Sequence, residues 1–317
     1  MGSVLLASPS PSATAQRAAT GSIVLTVTGP DGAPVTGLTE DDFVVQVDKS
    51  TEALTSLSSV SLPLTVLALF DQSSSVTDIR GRLSTDAAET LAAALKPGDR
   101  LRVGVVAGTT TIGAPTPLVR RDIESALRAL PKAKSFAASP LWDAVEAGAH
   151  ALAEDNGRRL LLLITDGRAT ASRLSTEQAA TVAVMANVAV STIDQGQQQS
   201  LLQDGTRVIT VRSAPLLQFI SRATGGVYYT DEPPVFRQQT PALILSAGRA
   251  IRDQRATYQL TVPVADDKQL HPITVRVTRP GLVVHAPSVI HASGKTSRLP
   301  ARQNPHPGST TSPDGAG

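Results

Sequence analysis

The sequence predicts an α/β fold: a doubly wound, mostly parallel sheet inserted in a small β-sandwich formed by the N- and C-terminal segments. Three observations predict it. Between about residues 63 and 252, strand-like and helix-like stretches alternate. The strands there are continuous apolar runs, as in Leu64–Phe70 and Arg159–Thr165, the pattern of strands covered by helices on both faces. On either side, residues 22–62 and 253–292 carry short β-rich runs. Neither flank is large enough to bury a core alone, so pairing between them is the simplest account. The inserted domain would then have its chain ends close together.

Residues 1–21 read as a disordered Ser/Pro/Ala-rich lead or as a truncated export signal, because Ala13-Thr14-Ala15 resembles an export cleavage site but the apolar stretch before it is short and lacks a basic flank. Ile23–Val27 reads as a strand, Gly29-Pro30-Asp31-Gly32 as a turn, and Phe43–Val47 as a second strand. After strand Leu64–Phe70, a helix over 86–95 stops near Pro97-Gly98, followed by strand Leu101–Val106. A helix over 121–130 breaks at Pro131, and a longer one begins at Pro140, a residue suited to a first turn. Strand Arg159–Thr165, a helix over 176–186, strand Val188–Ile193 and a helix over 215–224 closed by Gly225-Gly226 come next. A short strand Val227–Tyr229 and a last helix over 240–251 complete the region. Thr257–Val262 and Ile273–Val277 alternate cleanly, Leu282–His285 follows a Pro-Gly turn, and 293–317 reads as a disordered tail.

Composition narrows the function. The 317 residues are 41% hydrophobic, enough for a real core, and only 3% aromatic, so that core must rely on Val, Leu, Ile and Ala. The formal charge is +2 and arginines are scattered, without an aromatic-studded basic stripe, which argues against nucleic acid. Cysteine is absent, excluding disulfides, thiolate metal sites and thiol catalysis. No apolar run approaches the ~18 residues that read as a membrane-spanning helix.

The chemistry concentrates at strand ends. Asp71 closes the first apolar strand and opens Asp71-Gln72-Ser73-Ser74-Ser75. Alternate residues of an extended loop point the same way, so Asp71, Ser73 and Ser75 can converge. Asp166 follows strand Arg159–Thr165 and precedes Gly167, and Ser139 stands just before Pro140 and the long helix. All five of Asp71, Ser73, Ser75, Ser139 and Asp166 offer oxygen and none offers sulfur or imidazole. Such a set suits Mg²⁺, with Ca²⁺ or Mn²⁺ as alternatives. With few carboxylates the ion keeps residual positive charge, which a partner's Asp or Glu could complete.

Asp71-x-Ser73-x-Ser75, a hydroxyl residue before a helix, and Thr165-Asp166-Gly167 together resemble the metal-ion-dependent adhesion site of von Willebrand factor A domains. The flanks, Gly32-Ala-Pro-Val-Thr-Gly-Leu-Thr-Glu-Asp-Asp-Phe43 and Ile273-Thr-Val-Arg-Val-Thr-Arg-Pro-Gly-Leu282, are similar to bacterial VWFA-related domain proteins. The resemblance spans about 22–292 and implies a vWA/Rossmann-like sheet over 63–252. It also implies one metal approached by the two serines and the central hydroxyl, and by the two Asp directly or through water. Secretion, or a periplasmic or cell-envelope location, is implied as well. Two departures stand out: Ser139 occupies a position where the family usually has Thr, and Ala137-Ala138 replaces a Gly pair. Ser keeps the oxygen but loses the β-branch that stiffens it.

Other residues read more plainly. Asp143 is expected as a first-turn acid favouring the helix dipole, Trp142 as a packing residue, and Tyr228-Tyr229 as a strand with one face in and one out. The five histidines (His150, His271, His285, His291, His306) show no metal-ligand spacing and suit surface or turn roles; Asp41-Asp42 and Asp266-Asp267 suit solvated turns. The expected function is a metal-dependent, non-enzymatic protein-binding module. The alternatives are a structural subunit of an envelope assembly with a fold-stabilising metal, or a metal-dependent phosphohydrolase. The last would want a second Asp where Ser73 stands.

Overall fold

The computed structural model describes residues 19–72, 82–131, 138–194, 200–201, 207–208, 214–230, 240–255, 258–267 and 269–292. Most of the lead, the tail 293–317 and two expected site residues, Ser73 and Ser75, lie outside the described residues.

Four strands precede the inserted region: β1 (Ala19–Thr28), β2 (Phe43–Val47), β3 (Ser50–Glu52) and β4 (Ser56–Ser59). The α/β region then runs β5 (Leu64–Asp71), α1 (Arg82–Ala94), β6 (Arg100–Val106), β7 (Thr110–Ile112), α2 (Arg120–Ala129), α3 (Leu141–Ala153) and β8 (Arg158–Thr165). It continues through α4 (Thr176–Met185), β9 (Val188–Asp194), the two-residue pair β10 (Ser200–Leu201) and β11 (Arg207–Val208), α5 (Ala214–Thr224), β12 (Tyr228–Thr230) and α6 (Thr240–Asp253). Four strands close the described chain: β13 (Tyr258–Val264), β14 (His271–Val277), β15 (Val283–His285) and β16 (Val289–Ile290).

The central sheet has the order β12-β9-β8-β5-β6-β7, parallel throughout except for β7. Every residue of β5 is buried, as its unbroken apolar run requires of a central strand. Strand alternation sends Val66, Ala68, Phe70, Leu160, Leu162 and Ile164 to one face. There they pack with Leu91 of α1, Ile123 and Leu127 of α2 and Ile251 of α6. Leu67, Leu69, Leu161 and Leu163 face the other side, against Leu141 and Val145 of α3, Ala179 and Ala183 of α4, and Leu217 and Ile220 of α5. Among the described residues three helices lie on each face, which makes the sheet doubly wound. Local signals set the helix ends. Ser175 Oγ accepts from Gln178 N–H while Gln178 Oε1 accepts from Ser175 N–H, a reciprocal cap that starts α4.

The flanking strands pair with each other as expected. β1 lies antiparallel to β13 from Ala19↔Val264 to Leu25↔Tyr258, and β2 lies antiparallel to β14. Two four-stranded sheets result, β15-β1-β13-β4 and β16-β14-β2-β3. Their shared core includes Leu25, Val27, Val45, Leu260, Val262 and Ile273. Phe43 meets Tyr258 edge-on at 5.4 Å, and the Tyr258 hydroxyl accepts from Leu38 N–H at 2.9 Å.

Two expectations about polar residues of the sandwich are corrected. Asp42 is buried rather than solvated: Arg279 donates Nε to Oδ1 at 2.7 Å and Nη2 to Oδ2 at 2.8 Å, and Asp42 Oδ2 accepts from Thr39 N–H. His271 is buried between two carboxylates, Asp48 Oδ2 at 2.7 Å from Nδ1 and Asp267 Oδ1 at 3.0 Å from Nε2. Asp267 is an exposed turn residue, as expected, and also bonds His271. Each pairing links residues far apart in sequence or across a turn, and no local pattern announces it.

Candidate metal centre

The strand order reverses between β5 and β8, whose onward connections run to opposite sides of the sheet. At such a switch point the loops leave in opposite directions and open a crevice at the carboxyl ends of the strands. Phe70 lies opposite Ile164, so Asp71 and Thr165 follow side by side at that rim, with Asp166 one residue on. Asp71 and Asp166 thus share one edge of the sheet.

Asp71 is 1% exposed, and its Oδ2 accepts from two hydroxyls: Thr165 Oγ1 at 2.7 Å and Ser139 Oγ at 3.2 Å. Ser139, also buried, joins Asp71 across 68 residues of sequence. Asp166 is half-buried, and its Oδ1 accepts from Arg168 N–H at 3.0 Å, closing an Asx turn. Of the five residues expected here, three are therefore gathered at one rim, and Ser73 and Ser75 lie outside the described residues.

Two residues outside the five expected ligands also stand at the rim. Thr165 is the nearer hydroxyl on Asp71, and its Oγ1 also accepts from Gly167 N–H at 2.9 Å. Asp194, at the end of β9, is opposite Thr165 and accepts from the Tyr228 hydroxyl at 2.9 Å. The usable signal was strand alternation: Thr165 continues the Leu161, Leu163 face. That Asp71 stands opposite it is known only once β5 and β8 are neighbours.

The loop after β8 straps Ser139 in place. Ser139 N–H donates to Thr170 Oγ1, Thr170 N–H donates back to Ser139 O, and Trp142 N–H donates to Ser172 Oγ. Asp143 does more than favour the dipole of α3. Its carboxylate accepts from the N–H groups of Arg173 and Leu174 and from Arg173 Nε. Burial pushes the Asp143 carboxyl up, but the bonds from Leu174 and Arg173 outweigh it and hold it below the usual carboxylate range. Trp142 is buried against the sheet as a packing residue.

The chemistry of the donor set tests whether a metal belongs here. The rim brings together carboxylate and hydroxyl oxygens only, which fits a hard divalent ion. Among the described residues, no three His, Cys, Asp or Glu gather into a cage. The carboxamide of Gln72 is buried with neither polar atom hydrogen-bonded.

Fold and rim together define a doubly wound α/β domain carried on a β-sandwich, with an oxygen-lined switch point. No protein-family model matches the chain, and no curated protein matches it. Solved structures do. One is a von Willebrand factor type A protein from Catenulispora acidiphila, 10% identical, covering 87% of this chain and 74% of that one, with a TM-score of 0.43. Another is an aerotolerance-related membrane protein from Bacteroides fragilis, 15% identical, covering 60% of this chain and 98% of that one, TM-score 0.43. A third is the manganese-loaded TRAP protein of Plasmodium vivax, 14% identical, covering 77% and 97%, TM-score 0.37.

Proposed function

We propose that this chain is a divalent-metal-dependent protein-binding module. In this reading Asp71, Ser73, Ser75, Ser139 and Asp166 hold one ion, Mg²⁺ or alternatively Ca²⁺ or Mn²⁺, and a partner's Asp or Glu completes the shell. The observation that carries it is the convergence of Asp71, Ser139 and Thr165 at the rim of the switch point, 2.7 and 3.2 Å apart through their oxygens. The bound ion would supply a Lewis-acidic centre with an open position for the partner's carboxylate. The protein's own part is to bury Asp71, to present Ser139 from a strapped helix start, and to carry Asp166 on the adjoining turn. Exposed Arg168 projects from the same loop and favours an acidic partner. A secreted or envelope location suits this reading, and no described helix is long and apolar enough to cross a membrane.

Isothermal titration calorimetry with Mg²⁺ and Mn²⁺, with circular dichroism alongside, tests it. Wild-type protein binds one ion, and EDTA abolishes capture of its partner from envelope extract of the source organism. Asp71→Ala loses both with its spectrum unchanged. A wild-type chain that binds neither ion would falsify the proposal. A large Mg²⁺-dependent rise in melting temperature without chelator-sensitive capture would favour a structural metal instead. Turnover of a generic phosphate ester would favour the hydrolase.

A further inference from the structure

We propose that Thr165 is a positioning residue that sets the Asp71 carboxylate and the turn carrying Asp166 with a single hydroxyl group. This rests on the metal-binding reading above and assigns a role to a residue outside its five ligands.

A threonine hydroxyl has one proton to donate, and that proton rotates to suit its surroundings. At Thr165 the surroundings leave little choice. Gly167 N–H points at Oγ1 from 2.9 Å and occupies one of its two lone pairs. The proton is thereby directed away from Gly167 and toward Asp71 Oδ2, 2.7 Å off. The side chain is fully buried on a central strand, and these two bonds fix where its oxygen sits. A hydrogen bond to a charged acceptor in a dry site is among the stronger ones. One oxygen thus ties the end of β5 to the turn after β8.

Ser139 also donates to Asp71 Oδ2, but over 3.2 Å, from an unbranched side chain at a helix start. The two hydroxyls therefore divide the work. Ser139 makes the longer single bond and is assigned to the ion, whereas Thr165 both donates to Asp71 and accepts from Gly167 and orients the carboxylate that would meet the ion. Groups that orient metal ligands in this way typically contribute about 10- to 100-fold in affinity.

The test compares Thr165→Val, which keeps the shape and removes the hydroxyl, with Thr165→Ser, which keeps the hydroxyl. The full chain is titrated with Mn²⁺ by calorimetry, and amide hydrogen exchange is measured on metal-free protein. Thr165→Val is expected to bind Mn²⁺ at least about 10-fold more weakly, while Thr165→Ser stays within about threefold of wild type. In the metal-free protein the Gly167 amide exchanges faster in Thr165→Val and keeps its protection in Thr165→Ser. Wild-type Mn²⁺ affinity in Thr165→Val overturns the inference, as does a Thr165→Ser variant as weak as Thr165→Val. If the wild type binds no Mn²⁺, the metal reading fails. The exchange measurement still decides the positioning claim, and unchanged Gly167 protection in Thr165→Val sinks it.

Discussion

His271 shows how a single buried side chain ties the sandwich turns together. Asp48, in the turn between β2 and β3, bonds one ring nitrogen, and Asp267, before β14, bonds the other. The Asp48 carboxylate holds the imidazolium above its ordinary pKa of 6.5; burial opposes this, and Asp267 adds to it. Because the folded-state pKa is raised, the stabilisation is fully present below the unfolded value and is lost as pH rises through the folded one. The melting temperature is therefore expected to fall as pH is raised above 6.5, with this slope missing in His271→Asn. Equal slopes in the two proteins would rule out His271 as its source. No motif marks these residues: a lone His and two turn acids become a cluster only when the strands pair. Asp42 and Arg279 make the same point, since their bidentate bond spans 237 positions.

Among the elements, legibility followed length and period. The long apolar strands β5 and β8 and the helices α2, α3, α4 and α5 are readable because burial imposes a pattern over two or more turns or a full strand. The short strands β3, β4, β7 and β16 escaped the sequence reading; two to four residues, largely polar, cannot display a period. Their pairing is decided by neighbours. The turn into β12 illustrates the opposite case, where the sequence was explicit. Gly225, at φ +78°, takes the left-handed position that ends α5. Gly226 lies so close to the Val190 carbonyl that a Cβ there would collide with backbone. Gly226→Ala should therefore force β12 away from β9 and destabilise the protein by about 1–3 kcal/mol. Urea denaturation reads this as a lower midpoint; an unchanged midpoint would mean the strand accommodates the methyl group.

On the scale of the whole molecule, Arg158 joins the sandwich to the central sheet. It begins β8, is fully buried, and donates Nη1 to the Val24 carbonyl of β1 at 2.9 Å and Nη2 to Gln254 Oε1 at 2.7 Å. Gln254 in turn donates to the Gly225 carbonyl. One guanidinium thus links β1, β8, the end of α6 and the turn after α5. Burial without a carboxylate partner pushes its pKa down to about 10. Arg158→Ala would leave two buried acceptors without donors, at about 1–3 kcal/mol each. It would also loosen the two units from each other. Trp142, the single tryptophan, reports on the α/β unit alone, whereas far-UV circular dichroism reports on both. Wild type should unfold with coincident transitions, and Arg158→Ala should unfold earlier with the two separated. Coincidence at an unshifted midpoint in the variant would show that the junction does not depend on this side chain.

By itself the sequence determined the fold class, because unbroken apolar strands between amphipathic helices have no other low-energy arrangement than a sheet covered on both faces. It also determined which carboxylates and hydroxyls stand at strand ends. Only the tertiary structure decided which strands are neighbours. That choice placed Thr165 beside Asp71 and brought Ser139 to the same oxygen across 68 positions. It also sank Asp42, His271 and Arg158 among partners from the far end of the chain. The reason is physical: burial periodicity is a property of each segment, whereas hydrogen bonds between buried polar groups exist only after segments distant in sequence have packed.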